Sequence, residues 1–250
     1  MDITELENKI SDSLKEFHRR RLQAAQNLRV LPLLRRKNPY LYKSLGIEIA
    51  SELMMSLLQS HLKESDETIF GDAFFEPLAL LASGGRVSPT EGVDIIAETK
   101  TKYLAVAVKS GPNIFNSAQK RRQNTEFNAL RSRLLKTHKA YDPLLGHAYG
   151  RYISGPNDKK NYRDSSGQAF WEELTGDSDF YLKLIRLMKN EPLKYKEEFD
   201  KEWAAIINRL TSEFTELFCT SNGHIDWERL TAFVSARQKP EIRKTKARKK

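Results

Sequence analysis

Two residues of this chain are of types that do acid-base and ion-binding chemistry and stand alone in apolar surroundings, Asp94 in a short apolar run and Lys109 at the end of a longer one. Residues 92–119, GVDIIAETKTKYLAVAVKSGPNIFNSAQ, read as strand, polar turn, strand and the start of a helix. Side chains alternate along a strand, so Leu104, Val106 and Val108 face one way while Tyr103, Ala105, Ala107 and Lys109 face the other. An ammonium on a face of small alanines is costly unless it is solvated at the strand end or paired with an acid or a phosphate. Taken alone, Asp94 and Lys109 are equally well read as the polar ends of two strands.

A second source of carboxylates precedes the hairpin. Residues 64–83, ESDETIFGDAFFEPLALLAS, predict a helix that Ser65 or Asp66 caps, with Glu67 near its positive end. Asp72 and Glu76 are four apart and therefore share a helical face, among Phe74, Phe75, Leu78, Leu80 and Leu81. Acids in such apolar company are either functional or a partly exposed solubilising pair.

The hairpin resembles the active-site hairpin of the PD-(D/E)XK nuclease superfamily. There an aspartate on one strand and an acid-X-lysine triplet on the next bind Mg²⁺ and serve the attacking water. Here the triplet is Ala107-Val108-Lys109, so its first acid is absent. Some members recruit a carboxylate from a preceding helix instead. On that basis the resemblance implies Glu76 as the replacement ligand beside Asp94 and the Val108 carbonyl, with Asp72 in reserve and Glu91 and Glu98 as competitors. Lys109 would orient or deprotonate the water.

Further elements extend the likeness. NPYLYKS (38–44), ETIFGDAFFEPLA, KSGPNIFNSAQ, HAYGR (147–151) and SGQAFWEELTGDSDFY (166–181) occur in this order and together resemble the PmeII-type branch of type II restriction endonucleases, over about residues 38–187. That likeness implies duplex DNA as substrate, a short palindromic site read by a homodimer, Mg²⁺ as cofactor, and the prokaryotic cytoplasm as location. The fold implied is α/β (α+β): a restriction-endonuclease-like central mixed sheet with flanking helices and helical N- and C-terminal additions. The expected divisions are 1–62 (DNA contact or dimerisation), a nuclease core at 63–190, a helical region at 191–236 and a basic tail at 237–250.

Composition agrees with a polyanion partner. The chain has 250 residues and a net charge of +9, which raises the local concentration of nucleic acid and also of acidic membrane surfaces. No apolar run approaches the ~18 residues of a membrane span, and MDITELENKI lacks the layout of a secretion signal, so a soluble intracellular protein is expected. The single cysteine, Cys219, excludes an internal disulfide and a multi-cysteine zinc site. It lies in the apolar run Leu217-Phe218-Cys219, where thiols pack rather than react. No HExxH, Walker loop, GxGxxG or GxSxG occurs, and His18, His61, His138, His147 and His224 lack ligand spacing.

The remaining elements must position those groups. Ile3, Leu6, Ile10, Leu14 and Phe17 predict an amphipathic helix over about 2–31, with basic runs at 18–21 and 35–37 that are solvated faces or phosphate grips. A second helix is expected over 45–62 through Leu45, Ile49, Leu53, Leu57 and Leu58, its Met54-Met55 pair serving as packing or as a wedge for a base step. Gly92 would ease a close approach to DNA or metal. After Lys109 a helix to about residue 139 is capped by Asn116 or Ser117 and buries Phe127, Leu130 and Leu134.

The start of that helix could hold phosphates, so Ser110, Asn113, Asn116, Gln119, Lys120, Arg121 and Arg122 are candidate DNA contacts, together with Arg151. Arg86, Lys159, Lys160 and Arg163 join Arg151 as base-reading candidates by location alone. A strand is expected over 147–155, helices over 165–176 and 177–188, a long amphipathic helix over 194–218 and a short one over 227–234. The tail QKPEIRKTKARKK is expected to be disordered or to lie along a phosphate backbone.

Overall fold

The run from Tyr103 to Val108 is apolar on both of its faces, which suits a strand covered on both sides rather than a half-exposed one. In the computed structural model, which describes residues 2–111, 115–134, 139–151 and 160–237, it is the central strand β3, Lys102–Lys109. β2 (Ile95–Glu98) pairs antiparallel with it, in the register Ile95 to Val106 and Glu98 to Tyr103. β4 (Ala140–His147) and β5 (Arg163–Ser166) follow in parallel on the other side. β1 (Arg86–Val87) closes the antiparallel edge, giving the order β1-β2-β3-β4-β5. The expected mixed sheet with flanking helices is what the chain forms.

The described helices are α1 (Ile3–Gln26), α2 (Val30–Leu34), α3 (Pro39–Ser44), α4 (Ala50–Phe70), α5 (Glu76–Ser83), α6 (Ser117–Leu134), α7 (Gln168–Thr175), α8 (Phe180–Leu187), α9 (Glu191–Phe218) and α10 (Trp227–Ser235). They fall into two compact units, one made of residues 1–18 and 67–192, the other of 19–66 and 193–250.

In the first unit α6 lays Phe127 and Leu130 on Tyr103, Ala105 and Ala107, the small alanines allowing the close approach. On the unit's other elements α5 packs against β2 and β3, and α7 against α5 and β5. In the second unit Leu53, Met54, Leu57 and Leu58 of α4 share a core with Leu210, Phe214 and Phe218 of α9 and Leu230 of α10. Met54 is fully buried there and serves as packing.

The acid-bearing segment differs from its expected form. No helix starts at Ser65 or Asp66, because α4 runs on to Phe70 and Asp66 instead takes both its oxygens to Arg21 Nε at 2.9 Å. The helical run then widens into a π turn over Gly71–Phe75, in which the Glu76 N–H reaches the Gly71 carbonyl, before α5 begins. Pro77 is the physical cause. It has no N–H to give the Ala73 carbonyl four residues back, and its ring crowds that oxygen, so an ordinary α turn cannot continue through it. Leu45 and Ile49, expected on the second helix, lie ahead of α4 with 64% and 62% of their surfaces exposed.

The strand expected over 147–155 is instead β4, which ends at His147. Its Pro143, Asp142 and Gly146 disguise it, since proline is rare in a central strand. Here the β5 pairing begins only at Leu144, and the residues whose amides face β5 are the odd-numbered ones, as the Gly167 N–H to His147 carbonyl bond shows. Pro143 therefore lacks an amide where no partner strand lies. Part of the expected strand, the residues Asn113, His138 and Lys159, and the tail at 238–250 lie outside the described residues.

A packing test follows from β4. A Cβ at Gly146 would lie 2.0 Å from the ring of Phe170, which is fully buried and has nowhere to go. Gly146→Ala is expected to destabilise by about 1–3 kcal/mol, the usual range for overpacking, read as a lower urea midpoint at unchanged slope.

Candidate active site at the end of the central strand

The strand β2 starts at Ile95, but its ladder is prolonged by one residue through main chain and by one more through a side chain. The Asp94 N–H donates to the Val106 carbonyl at 2.8 Å, and Asp94 Oδ2 accepts the Val108 N–H at 2.6 Å. N–H and C=O of one strand residue point to the same edge, so the Val108 carbonyl also faces the Asp94 side. The Lys109 carbonyl faces the other way and accepts the Ala148 N–H of the β4 side at 2.8 Å.

Burial pushes the Asp94 carboxyl above the usual aspartate range, against the opposing pull of the Val108 N–H and the Lys109 ammonium; the like charges of Asp72 and Glu126 push the same way as burial.

Beside this pair opens a cleft of about 370 Å³. Its walls are Glu67, Asp72 and Glu76 from the helical side, Val108, Lys109 and Ser110 from β3, and Gln119 from α6. Asp94 is joined to this wall through its bond from the Val108 N–H. Gly71 lets the π turn come this close, since a Cβ there would meet Ser110 Oγ at 2.5 Å, and that hydroxyl donates to the Glu67 carbonyl at 3.2 Å. The widened turn brings Asp72 and Glu76 to the same cleft, and π turns recur at functional sites.

Of the four competing acids, Asp72 and Glu76 face the cleft, and Asp72 acts on the ionisation of Asp94. Glu98 sits at the far end of β2, about 13 Å along the strand at ~3.3 Å per residue, and pairs with Lys139. Glu91 bonds Arg122 at 2.8 Å.

The sequence reading missed Glu126. On α6 it takes Arg122 Nε at 2.7 Å, and its carboxylate fills the space a Cβ of Gly92 would need, 1.8 Å from that point. Gln123, buried on the same helix, donates to the Gly92 carbonyl at 2.8 Å. Gly92, at φ +73°, is thus needed for the approach of the Glu126 side chain from α6. The only sequence signal was the polar pair inside a buried helical stripe.

Several expected DNA contacts have structural partners. Asn116 Oδ1 accepts the N–H groups of Ala118 and Gln119 at 3.0 and 2.9 Å, while Gln119 Oε1 accepts the Asn116 N–H at 2.9 Å. This reciprocal N-cap was legible as N-x-x-Q. Arg122 is engaged by Glu91 and Glu126. Arg121 and Arg151 are exposed, and Lys120 is partly so. Arg163, a location-only candidate, is held by Asp142 and Glu173.

The donors present suit a hard cation such as Mg²⁺, which takes oxygen ligands, needs one or two protein carboxylates and keeps several waters. Among the described residues no three His, Cys, Asp or Glu side chains stand together in ligand geometry. The repulsion between Asp72 and Asp94 is of the kind a divalent ion relieves.

A helix-flanked mixed sheet with an aspartate and a lysine converging at the end of its central strands is the restriction-endonuclease-like arrangement. The family model of type II restriction endonuclease EcoO109I matches residues 4–197, and the chain belongs to that family. The match is to this family and not to the PmeII-type branch. Membership makes the chain a nuclease of restriction systems that acts on DNA. No curated protein matches it. Among the described residues no helix is long and apolar enough to cross a membrane.

A carboxyl whose folded pKa lies above its unfolded one holds its proton more tightly when folded, so ionisation costs stability as pH rises from the unfolded to the folded value. Asp94→Asn keeps an acceptor for the Val108 N–H and removes the charge. The metal-free variant is expected to melt higher than the parent at about pH 8, with the gap closing toward about pH 4. Calorimetric melts across that range check it.

Proposed function

We propose that this chain is a Mg²⁺-dependent type II restriction endonuclease that hydrolyses both strands of duplex DNA at a short specific site. The observation that carries the reading is the carboxylate of Asp94 fixed on the Val108 N–H, one residue from Lys109, beside a cleft that also takes in Asp72 and Glu76.

Asp94, the Val108 carbonyl and a helix-borne acid would hold Mg²⁺. Asp72 is the better placed of the two acids because its charge acts on Asp94, and Glu76 is its neighbour in the cleft. When bound, the ion supplies Lewis-acid stabilisation of the charge that gathers on the non-bridging and leaving oxygens. Lys109 holds the attacking water in line with the phosphorus or takes part of its proton, and its positive charge offsets that of the pentavalent phosphate. Lys120 and Arg121, on the first turns of α6, are placed for the flanking phosphates, where they fix register and carry no sequence information. The prokaryotic cytoplasm is the place where such an enzyme would meet its substrate.

Ala107 favours one other reading. It is buried under α6 where the superfamily's triplet carries an acid, as it would be in a DNA-binding module that has lost catalysis. Mg²⁺-independent binding without any cutting would support that module.

Incubation of a defined plasmid with the protein and Mg²⁺ is expected to give discrete bands, and chelation to abolish them. Asp94→Ala and Lys109→Ala should each lower the rate by about a thousandfold or more, as loss of a main electrostatic group does. Undiminished cutting by either variant would sink the site assignment.

A palindromic site calls for a two-fold pair of subunits. Light scattering is expected to show a homodimer, and a monomer both with and without DNA would count against it.

A further inference from the structure

The strands β3, β4 and β5 run in the same direction, and Lys109, His147 and Ser166 stand side by side in their registers. Their carboxyl ends therefore open on one edge of the sheet, the edge where ligands of open α/β sheets bind. The cleft described above lies over the end of β3. Over the ends of β4 and β5 a second cavity opens, of about 780 Å³, within the size range of small-ligand sites. Phe75, Tyr149, Trp171 and Tyr181 line it, with Arg151, Ser166 and Gln168 among its polar members, the Gln168 amide donating to the Ser178 carbonyl at 3.1 Å and keeping its oxygen as acceptor.

Tyr149 is the partition between the two spaces. Its ring lies on Gly111, where a Cβ would come within 2.4 Å of Cζ, and its hydroxyl reaches toward the Glu67 carboxylate at 3.5 Å, both residues of the first cleft. Its ring centroid is 6.4 Å from that of Phe75 in the second. Tyr149 as a residue is 47% exposed.

Trp171, 1% exposed, donates its Nε1–H to the Ala148 carbonyl at 2.8 Å and backs the cavity from within, so the aromatic surface open to an occupant is that of Phe75, Tyr149 and Tyr181. Neighbouring strands are ~4.8 Å apart, so the second cavity begins about 5–10 Å from the end of β3. That is the span from a backbone phosphate to the base of its own nucleotide.

The occupant that fits is flat and apolar on its faces, polar at its edge and tied to a phosphate. We infer that the cavity behind Tyr149 takes one nucleobase turned out of the duplex at or beside the scissile phosphate, stacked against the aromatic wall with Arg151 and Gln168 at its rim. The inference rests on the nuclease reading. It adds a determinant of site choice, because the cost of unstacking depends on which base pair must open.

Once the cut ends define the site, the test is a scan of binding in Ca²⁺, without cleavage, to site duplexes that carry a single mismatch at each position in turn. A protein that opens one pair binds tighter where that pair is already broken, here by about tenfold or more at one position, while other mismatches weaken binding. Ala169→Trp, which fills the cavity from the exposed side of α7, is expected to remove that gain and lower cutting by about tenfold or more, with fold unchanged by circular dichroism. Mismatches that weaken binding at every position, in a protein that still cuts its site, would overturn the cavity's role and leave the nuclease reading standing. Unchanged cutting by Ala169→Trp together with a changed oligomeric state would overturn it in favour of a subunit contact. A protein that neither binds nor cuts duplex DNA would overturn both.

Discussion

The site depends on one hydrogen bond, the 2.6 Å contact from the Val108 N–H to Asp94 Oδ2. A carboxylate accepting a backbone N–H there does what the next residue of β2 would have done, and so lets the antiparallel pair end without an orphaned donor. It also fixes the rotamer of Asp94 and holds its charge beside the strand that bears Lys109. The interaction is a compromise. Burial and the charges of Asp72 and Glu126 oppose ionisation, while the N–H and Lys109 favour it. Such strain between groups held by separate elements is what a cation-binding or catalytic site stores and a purely structural cap does not need.

The second constraint is Pro77. By denying the helix an ordinary turn, it produces the wider one that sets Asp72 and Glu76 toward the end of β3, and Gly71 permits the close approach to Ser110. The strand that bears Lys109 and the acid-bearing helix are thus matched by backbone chemistry rather than by side-chain length. Ala107 fits the same scheme. A carboxylate at that position would lie under Phe127 and Leu130 of α6, in a layer now closed by small apolar groups, and burying it there would be costly without a cation. The acids lie instead at the cleft rim, where solvent and phosphate can reach them.

How much of this was readable in advance follows from the range of the interactions. The hairpin, the α6 cap and its buried stripe are set by residues within a few positions of each other, and their patterns stand in the sequence. The continuous α4 was hidden because Asp66, which has the chemistry of a cap, is claimed by Arg21, 45 positions away in the chain. β4 was hidden because a proline is excluded from a strand only where a partner needs its amide, and pairing register is a tertiary fact. Glu126 was hidden for the same reason. Its nearness to Gly92 arises only once the α6 crossover has laid the helix back on the sheet.

Charge distribution then separates approach from engagement. The chain as a whole carries +9, so DNA is drawn to it from a distance. At the cleft the balance reverses: Glu67, Asp72 and Glu76 line it, Asp94 is bonded to its wall at Val108, and among its described lining residues Lys109 is the cation that faces them. Arg122, a few residues along α6, is occupied by Glu91 and Glu126. A phosphate brought up by the basic surface would therefore meet net negative charge at the last few ångströms, where screening by salt is weakest. Long-range attraction that ends in local repulsion leaves the duplex loosely held and free to move along the surface. Close engagement would need something to offset the acids, and a divalent ion of the kind proposed above would do so. The arrangement that makes the metal-free site repel a phosphate is thus the same one that would make tight binding and bond cleavage depend on the same ion.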